Sequence, residues 1–184
     1  MVNEPAGEPE VSGSAGRTSP AGPGVSAWTV AARTPDPELP TLTLADLGIL
    51  RDVREDGDTV VATITPTYSG CPAMHEISHD LRHRLQRAGF RDVQIRTQLA
   101  PAWSSDWITA EGRAKLTAAG IAPPSGAAHR GGPIPLTLGR PATVPCPRCG
   151  SRRTSRTAAF GATACKALHR CEDCREPFEA VKPI

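Results

Sequence analysis

The side chains best suited to chemistry in this sequence are six cysteines and a histidine-rich segment. Four of the cysteines form two pairs, Cys146-Pro-Arg-Cys149 and Cys171-Glu-Asp-Cys174, with twenty-one residues between the pairs. Two residues between cysteines let both thiolates of a pair reach one ion at about 2.3 Å, and two such pairs complete a tetrahedron. The spacing predicts a zinc ribbon in which Cys146, Cys149, Cys171 and Cys174 hold a structural zinc, because four thiolate ligands leave no open position for water. Gly150 suits the tight turn that aims backbone amides at the sulfurs. A module of about forty residues is too small for an ordinary core, so metal binding, worth about 10–16 kcal/mol in such sites, would hold it folded. Cys165 lies between the pairs and could replace a knuckle cysteine. The paired spacing favours the other four, which leaves Cys165 as a buried or partner-facing free thiol.

A second pattern, His75-Glu76-Ile77-Ser78-His79, matches the H-E-x-x-H signature of zinc proteases. That chemistry needs two histidines on one ion, a glutamate to activate water, a third protein ligand and an open cleft. At 100° per residue, Met74, Ile77, Ser78, Leu81, Leu85 and Ala88 share one arc, the expected core face, and His75, His79 and His83 point away from it. Arg82 and Leu85 stand where a metzincin would carry glycine and its third histidine, and no glutamate lies about twenty residues beyond His79. The segment reads as a solvated helix face, able at most to bind a stray transition metal, and not as a protease centre.

Cys71 raises a different possibility. It follows Ser69-Gly70 and precedes Pro72, a residue favoured at the first helical position, so its sulfur is expected at a helix N-terminus. There the helix dipole and free amides would stabilise a soft, reactive thiolate suited to iron or an iron–sulfur cluster. One cysteine cannot supply the four ligands of a stable cluster, so ligation would be transient or shared. On position alone, a small residue tolerated at a helix start is an equal reading. Asp36-Pro37-Glu38-Leu39-Pro40 is either a rigid turn whose carboxylates cap a neighbouring element or a pair of acids brought beside Cys71 by the fold.

The elements that must position these groups follow from local patterns. Residues 1–24 are rich in Gly, Pro, Ala, Ser and Glu and are expected to be disordered. Residues 25–121 carry an α-β-β-α-β-α order. A helix spans about Ser26 to Arg33, and a β-hairpin spans 47–65 around Asp56-Gly57. A second helix runs from Pro72 to Ala88 with Gly89 as its cap, followed by a strand at 91–99 and a last helix from Ser105 to Ala119. This order predicts an α+β fold, a two-layer sandwich of a mixed or antiparallel sheet with helices on one side. A Pro/Gly-rich linker is expected at 122–144, before the ribbon at 145–184.

Composition narrows the function classes. No stretch has the length or apolarity of a membrane span and no basic leader is present, so a cytoplasmic protein is expected, and in a reducing compartment its cysteines favour metal over disulfides. Residues 144–184 hold eight Arg/Lys and four Asp/Glu, a net +4, against −2 for the remainder. Ribbon arginines 152, 153 and 156 could contact phosphates, but the charge is modest and aromatic stacking residues are scarce, which argues against nucleic acid.

The stretches DPELPTLTLADLGILRDV and TPTYSGCPAM resemble the SufT-like iron–sulfur cluster assembly domain family. APAWSSDWITAEGRAKLTAAGIAPP, PCPRCGS and FGATACKALHRCEDCREPF extend the likeness, over about 25–184, to the D-subunit family of the phenylacetyl-CoA epoxidase system. The resemblance implies a sandwich of the iron–sulfur assembly type followed by a zinc ribbon. It carries the family's functional acids and thiol onto Asp36, Glu38 and Cys71, and the ribbon ligands onto Cys146, Cys149, Cys171 and Cys174. It also places Cys165 in a G-x-T-x-C-K stretch of the family pattern, which weakens the free-thiol reading. The implied role is that of an accessory subunit in aerobic phenylacetate degradation that helps assemble or deliver an iron–sulfur or di-iron cofactor, handling iron or a cluster transiently. Implied partners are the epoxidase subunits or their reductase, and iron–sulfur assembly proteins. The alternative is a structural subunit without metal transfer. The chain has no pair of E-x-x-H helices for a di-iron centre and no flavin or nicotinamide fingerprint, so it is not expected to oxygenate substrate itself.

Overall fold

The computed structural model describes residues 26–68, 70–125 and 143–184. The expected disordered head at 1–24 and most of the expected linker lie outside the described residues.

A mixed three-stranded sheet forms the first layer. Strands β1 (Leu50–Asp56) and β2 (Thr59–Ile64) pair antiparallel, and β3 (Asp92–Thr97) joins β2 in parallel. The hairpin turns through Gly57 and Asp58, with Gly57 at φ 60°, a left-handed conformation that costs glycine nothing. A parallel pair needs a crossover, supplied by α2 (Met74–Arg87). β2 alternates strictly: Val60, Ala62 and Ile64 are buried, while the residues between them are half-exposed. Those three meet Ile77, Leu81 and Leu85 of α2 and Ala27 and Ala31 of α1 (Ala27–Ala32) in one core.

Helix α1 forms as expected, with Ser26 capping it by accepting the amide of Thr29 at 3.2 Å. Three details depart from expectation. Helix α2 begins at Met74, so Pro72 stands in the preceding turn and not at the first helical position. Ala88, assigned to the core arc, is the exposed C-cap of α2. The helix expected over Ser105–Ala119 is broken into a single 3-10 turn at Ser105–Trp107 and α3 (Ala110–Ala118). The break has a clear cause: Thr109 takes extended backbone and caps α3 by accepting the amide of Gly112 at 2.9 Å. The chain enters α3 close against Asp46, whose carboxylate accepts from the Thr43 amide and hydroxyl and from Lys115 Nζ at 2.8 Å.

The second sheet has the order β4-β7-β6-β5, with β4 Ile121–Ala122, β5 Thr154–Ala158, β6 Lys166–Cys171 and β7 Pro177–Val181. Its edge strand β4 comes directly from α3 through Gly120 and pairs in parallel with β7. Residue 122, the expected start of the linker, is therefore a ladder position of the ribbon sheet. Two further ties fasten the ribbon to the first layer. Val181 packs in the main core, and the Ser105 amide donates to the carbonyl of Ile184 at 3.0 Å. The described residues contain no helix long and apolar enough to cross a membrane.

Candidate metal-handling cleft and the four-cysteine knuckles

At the ribbon, Cys146, Cys149, Cys171 and Cys174 each offer a sulfur within 4.8 Å of the other three, and no other metal-capable group of three or more is present among the described residues. The closest approaches are 3.7 Å for Cys146–Cys174 and 3.6 Å for Cys149–Cys171. Backbone geometry builds the cradle. Gly150 donates its amide to the Cys146 carbonyl at 2.9 Å from a φ of 74°. In the second knuckle the equivalent position, immediately after Cys174, is Arg175, which takes φ 64° although it carries a side chain.

Amides converge on the sulfurs. The Cys174 and Asp173 amides draw the Cys171 thiol down to about 7. The Glu176 amide pulls Cys174 the same way, but burial and the three neighbouring thiols outweigh it and push that thiol up to about 12. Four sulfurs this close cannot all be anionic without a cation among them, so the donor set fits a tetrahedral zinc.

The second constellation lies where the ribbon meets the first layer. Asp36, Glu38, Cys71 and Cys165 line one narrow cleft with about 30 Å³ of free interior, floored by apolar residues that include Leu47, Met74 and Trp103. The Trp103 indole is locked by donating to the Leu47 carbonyl at 2.9 Å. Asp36 is 5% exposed, and its Oδ1 accepts the amides of Glu38 and Leu39, both at 2.9 Å, in a tight turn. Asp36 thus caps its own turn and not a neighbouring element, and both acids line the cleft that also holds Cys71. Burial raises the Asp36 carboxyl above the usual range against those two amides, and burial followed by the Asp36 charge raises Glu38.

Cys71 differs from expectation in its electrostatics. It sits in the turn before α2, half-buried, and the Ala73 amide does reach its sulfur. Burial outweighs that amide, and the charges of Glu38, Asp36 and Cys165 add to it, so the thiol is raised and not lowered. The N-terminal amide effect is present but loses to desolvation and to two acids. Cys165 is raised by burial as well, against a 3.0 Å contact with the Thr163 hydroxyl. Its sulfur faces the same cleft, a placement that residue-by-residue reading of the sequence did not reach. The only available signal was the G-x-T-x-C-K stretch around it. Lys166, 4% exposed and paired with Glu179 at 2.7 Å, tempers both acids from the ribbon side.

The remaining sequence candidates stay outside both sites. His75, His79 and His83 are exposed along α2, with the last two rings stacked at 6.4 Å. Arg152, Arg153 and Arg156 are exposed on the ribbon, where Arg153 is paired with Asp173.

Comparison with known proteins gives two family models. The first, described as PaaD zinc beta ribbon domain, matches residues 131–182, and the second, described as Iron-sulfur cluster assembly protein, matches residues 32–96. An Escherichia coli (strain K12) protein, described as the D subunit of a "Putative 1,2-phenylacetyl-CoA epoxidase", is 44% identical over 160 residues, covering 85% of this chain and 91% of its own. Two solved structures are also similar. A domain of unknown function from Bacillus anthracis is 25% identical over 49% of this chain and 87% of its own, with a TM-score of 0.45. A conserved hypothetical protein from Thermotoga maritima is 23% identical over 54% of this chain and 98% of its own, with a TM-score of 0.44.

Proposed function

The chain belongs to the D-subunit family of 1,2-phenylacetyl-CoA epoxidase, and from that premise we propose that it serves the phenylacetyl-CoA epoxidase system as an accessory subunit that helps assemble or deliver an iron–sulfur or di-iron cofactor. Cys71 is the transfer ligand, with Asp36 and Glu38 beside it. Cys146, Cys149, Cys171 and Cys174 hold a structural zinc. The observation that carries the reading is the convergence of Cys71, Asp36 and Glu38 on one cleft, from two segments more than thirty positions apart.

The electrostatics of the cleft support transient binding. With its pKa raised, the Cys71 thiol is protonated at rest and shielded from adventitious reaction. An arriving cation supplies the charge that burial and the acids withhold: it displaces the thiol proton and is balanced by the carboxylates. Removal of the cation returns the proton. Ligation coupled to proton exchange in this way favours hand-over over permanent storage.

The test is to produce the epoxidase system with wild-type or Cys71→Ser chain and to measure iron and acid-labile sulfide in the oxygenase and reductase, together with turnover. The expected result is depleted metal and reduced turnover with the variant. Full loading and unchanged turnover would refute transfer and leave a structural subunit as the reading.

A further inference from the structure

Cys71 and Cys165 are 94 positions apart in the sequence and belong to different modules, yet they share one cleft. Each is half-buried, and the charge of Cys165 contributes to the raised pKa of Cys71. Burial raises the pKa of the nearby Tyr68 phenol, and the charges of Cys71, Glu38 and Cys165 add to that shift.

The position of Cys165 is held by its surroundings. Its carbonyl accepts the Lys182 amide at 2.9 Å, and the next residue, Lys166, is clamped to Glu179. Strand β7, which carries Glu179, is anchored to the first layer by its pairing with β4 and by Val181 in the main core. The ribbon therefore presents one thiol at a defined place on the other module.

We propose that Cys165 is the second thiolate of the cleft, and that Cys71 and Cys165 together ligate a single thiophilic divalent cation of the ferrous class, with Asp36 and Glu38 completing its oxygen ligands. This deepens the proposed function and rests on it for the identity of the cargo. Two features carry it. The donor set is two thiols and two carboxylates, soft and hard ligands together, as ferrous-class ions accept. The four groups line one cleft, Cys165 reaching it from the ribbon and Asp36, Glu38 and Cys71 from the first layer. In this structure these groups are not drawn to metal-ligand spacing as the ribbon sulfurs are, since among the described residues only the ribbon four form a set of three or more within 4.8 Å of one another. Side chains must close around the ion, and that cost of ordering makes the site weaker and faster to release than the ribbon, as cargo requires. In the ribbon's role, zinc holds the module that supplies the second ligand.

The experiment uses the full chain with its ribbon zinc retained, titrated anaerobically with Co(II) as a spectroscopic ferrous substitute. Readouts are zinc and cobalt content after desalting and the thiolate-to-cobalt charge-transfer absorbance. Wild type is expected to bind one cobalt beyond its ribbon zinc. Cys165→Ser, which preserves the hydroxyl contact to Thr163, and Cys165→Ala are each expected to keep the zinc, weaken cobalt by about tenfold or more, and halve the charge-transfer intensity per bound ion. Cys71→Ser should behave alike. If both Cys165 variants bind as wild type while Cys71→Ser does not, this inference falls and the proposed role of Cys71 stands. If wild type takes up no second ion, the inference falls too. In a parallel arm with ferrous iron and sulfide, stoichiometric acid-labile sulfide retained on Cys71 and Cys165 would overturn the single-ion assignment in favour of a cluster.

Discussion

Stripping zinc from the full chain with a chelator, under reducing and anaerobic conditions, is expected to unfold the ribbon and leave the first layer folded. The magnitude follows from the two cores. The ribbon cluster comprises Ala122, Cys146, Cys171, Phe178 and Ala180, with Val144 at its edge, so two of its buried members are the proposed ligands themselves and only Phe178 is large. Burying one such aromatic contributes about 1.5–3 kcal/mol, whereas a structural zinc contributes about 10–16 kcal/mol. The zinc contribution is comparable to the entire folding free energy of a typical domain, about 5–15 kcal/mol. The main core instead contains Leu42, Leu44, Ile64, Ile77, Leu81, Leu85 and Leu116, all essentially inaccessible, and none of them depends on the metal. Hydrogen–deuterium exchange on zinc-loaded and zinc-free protein separates the two. Protection should vanish across 146–176, including the β5–β6 ladder, and persist in α2 and in the β1–β2 hairpin. Cobalt binding at the cleft should fall in parallel, because Cys165 travels with the ribbon. Undiminished protection of β5 and β6 after complete zinc removal would refute the argument that metal, and not packing, holds this module.

Other perturbations give equally definite outcomes. Asp36→Asn keeps an oxygen to accept the Glu38 and Leu39 amides while removing a buried charge. Because the folded-state pKa of Asp36 is raised, its contribution to stability is fully present below the unfolded pKa and is lost as pH rises through the folded value. The variant should therefore match wild type in acid and gain on it toward neutrality, by about 1.4 kcal/mol for each pH interval of one between the unfolded and folded values. Calorimetric melting across pH checks this, and a variant less stable than wild type at neutral pH would contradict it. At Gly112 a Cβ would meet the Asp46 carbonyl oxygen at 2.6 Å. Gly112→Ala should thus destabilise by about 1–3 kcal/mol despite alanine's better helix propensity, seen as a lower urea midpoint.

Much of the architecture was legible because it depends on local pattern. Gly57 needs a left-handed turn, β2 alternates across a half-buried sheet, and Ile77, Leu81 and Leu85 share one arc of α2. The errors arose where a competing local interaction decided the outcome. Thr109 caps α3 and so divides a segment that reads as one helix. Arg175 adopts the conformation that Gly150 adopts, with no glycine to announce it. At Cys71 the inference from a helix start had the right interaction and the wrong balance. The Ala73 amide is there, but desolvation and two carboxylates exceed it, and neither depth of burial nor distant neighbours can be counted along a sequence.

The sequence by itself determined the four knuckle cysteines, because two residues between thiols are a local geometric requirement for one ion. It also determined that the histidines of α2 lie on a wet face, because helical periodicity alone sorts them from the core. Only the tertiary structure decided that Ile121 and Ala122 join the ribbon sheet, that the last strand anchors in the main core, and that Cys165 opens onto the same cleft as Asp36, Glu38 and Cys71. Those relations are made by strand pairing and side-chain burial between segments far apart in the chain, and no period or spacing encodes them.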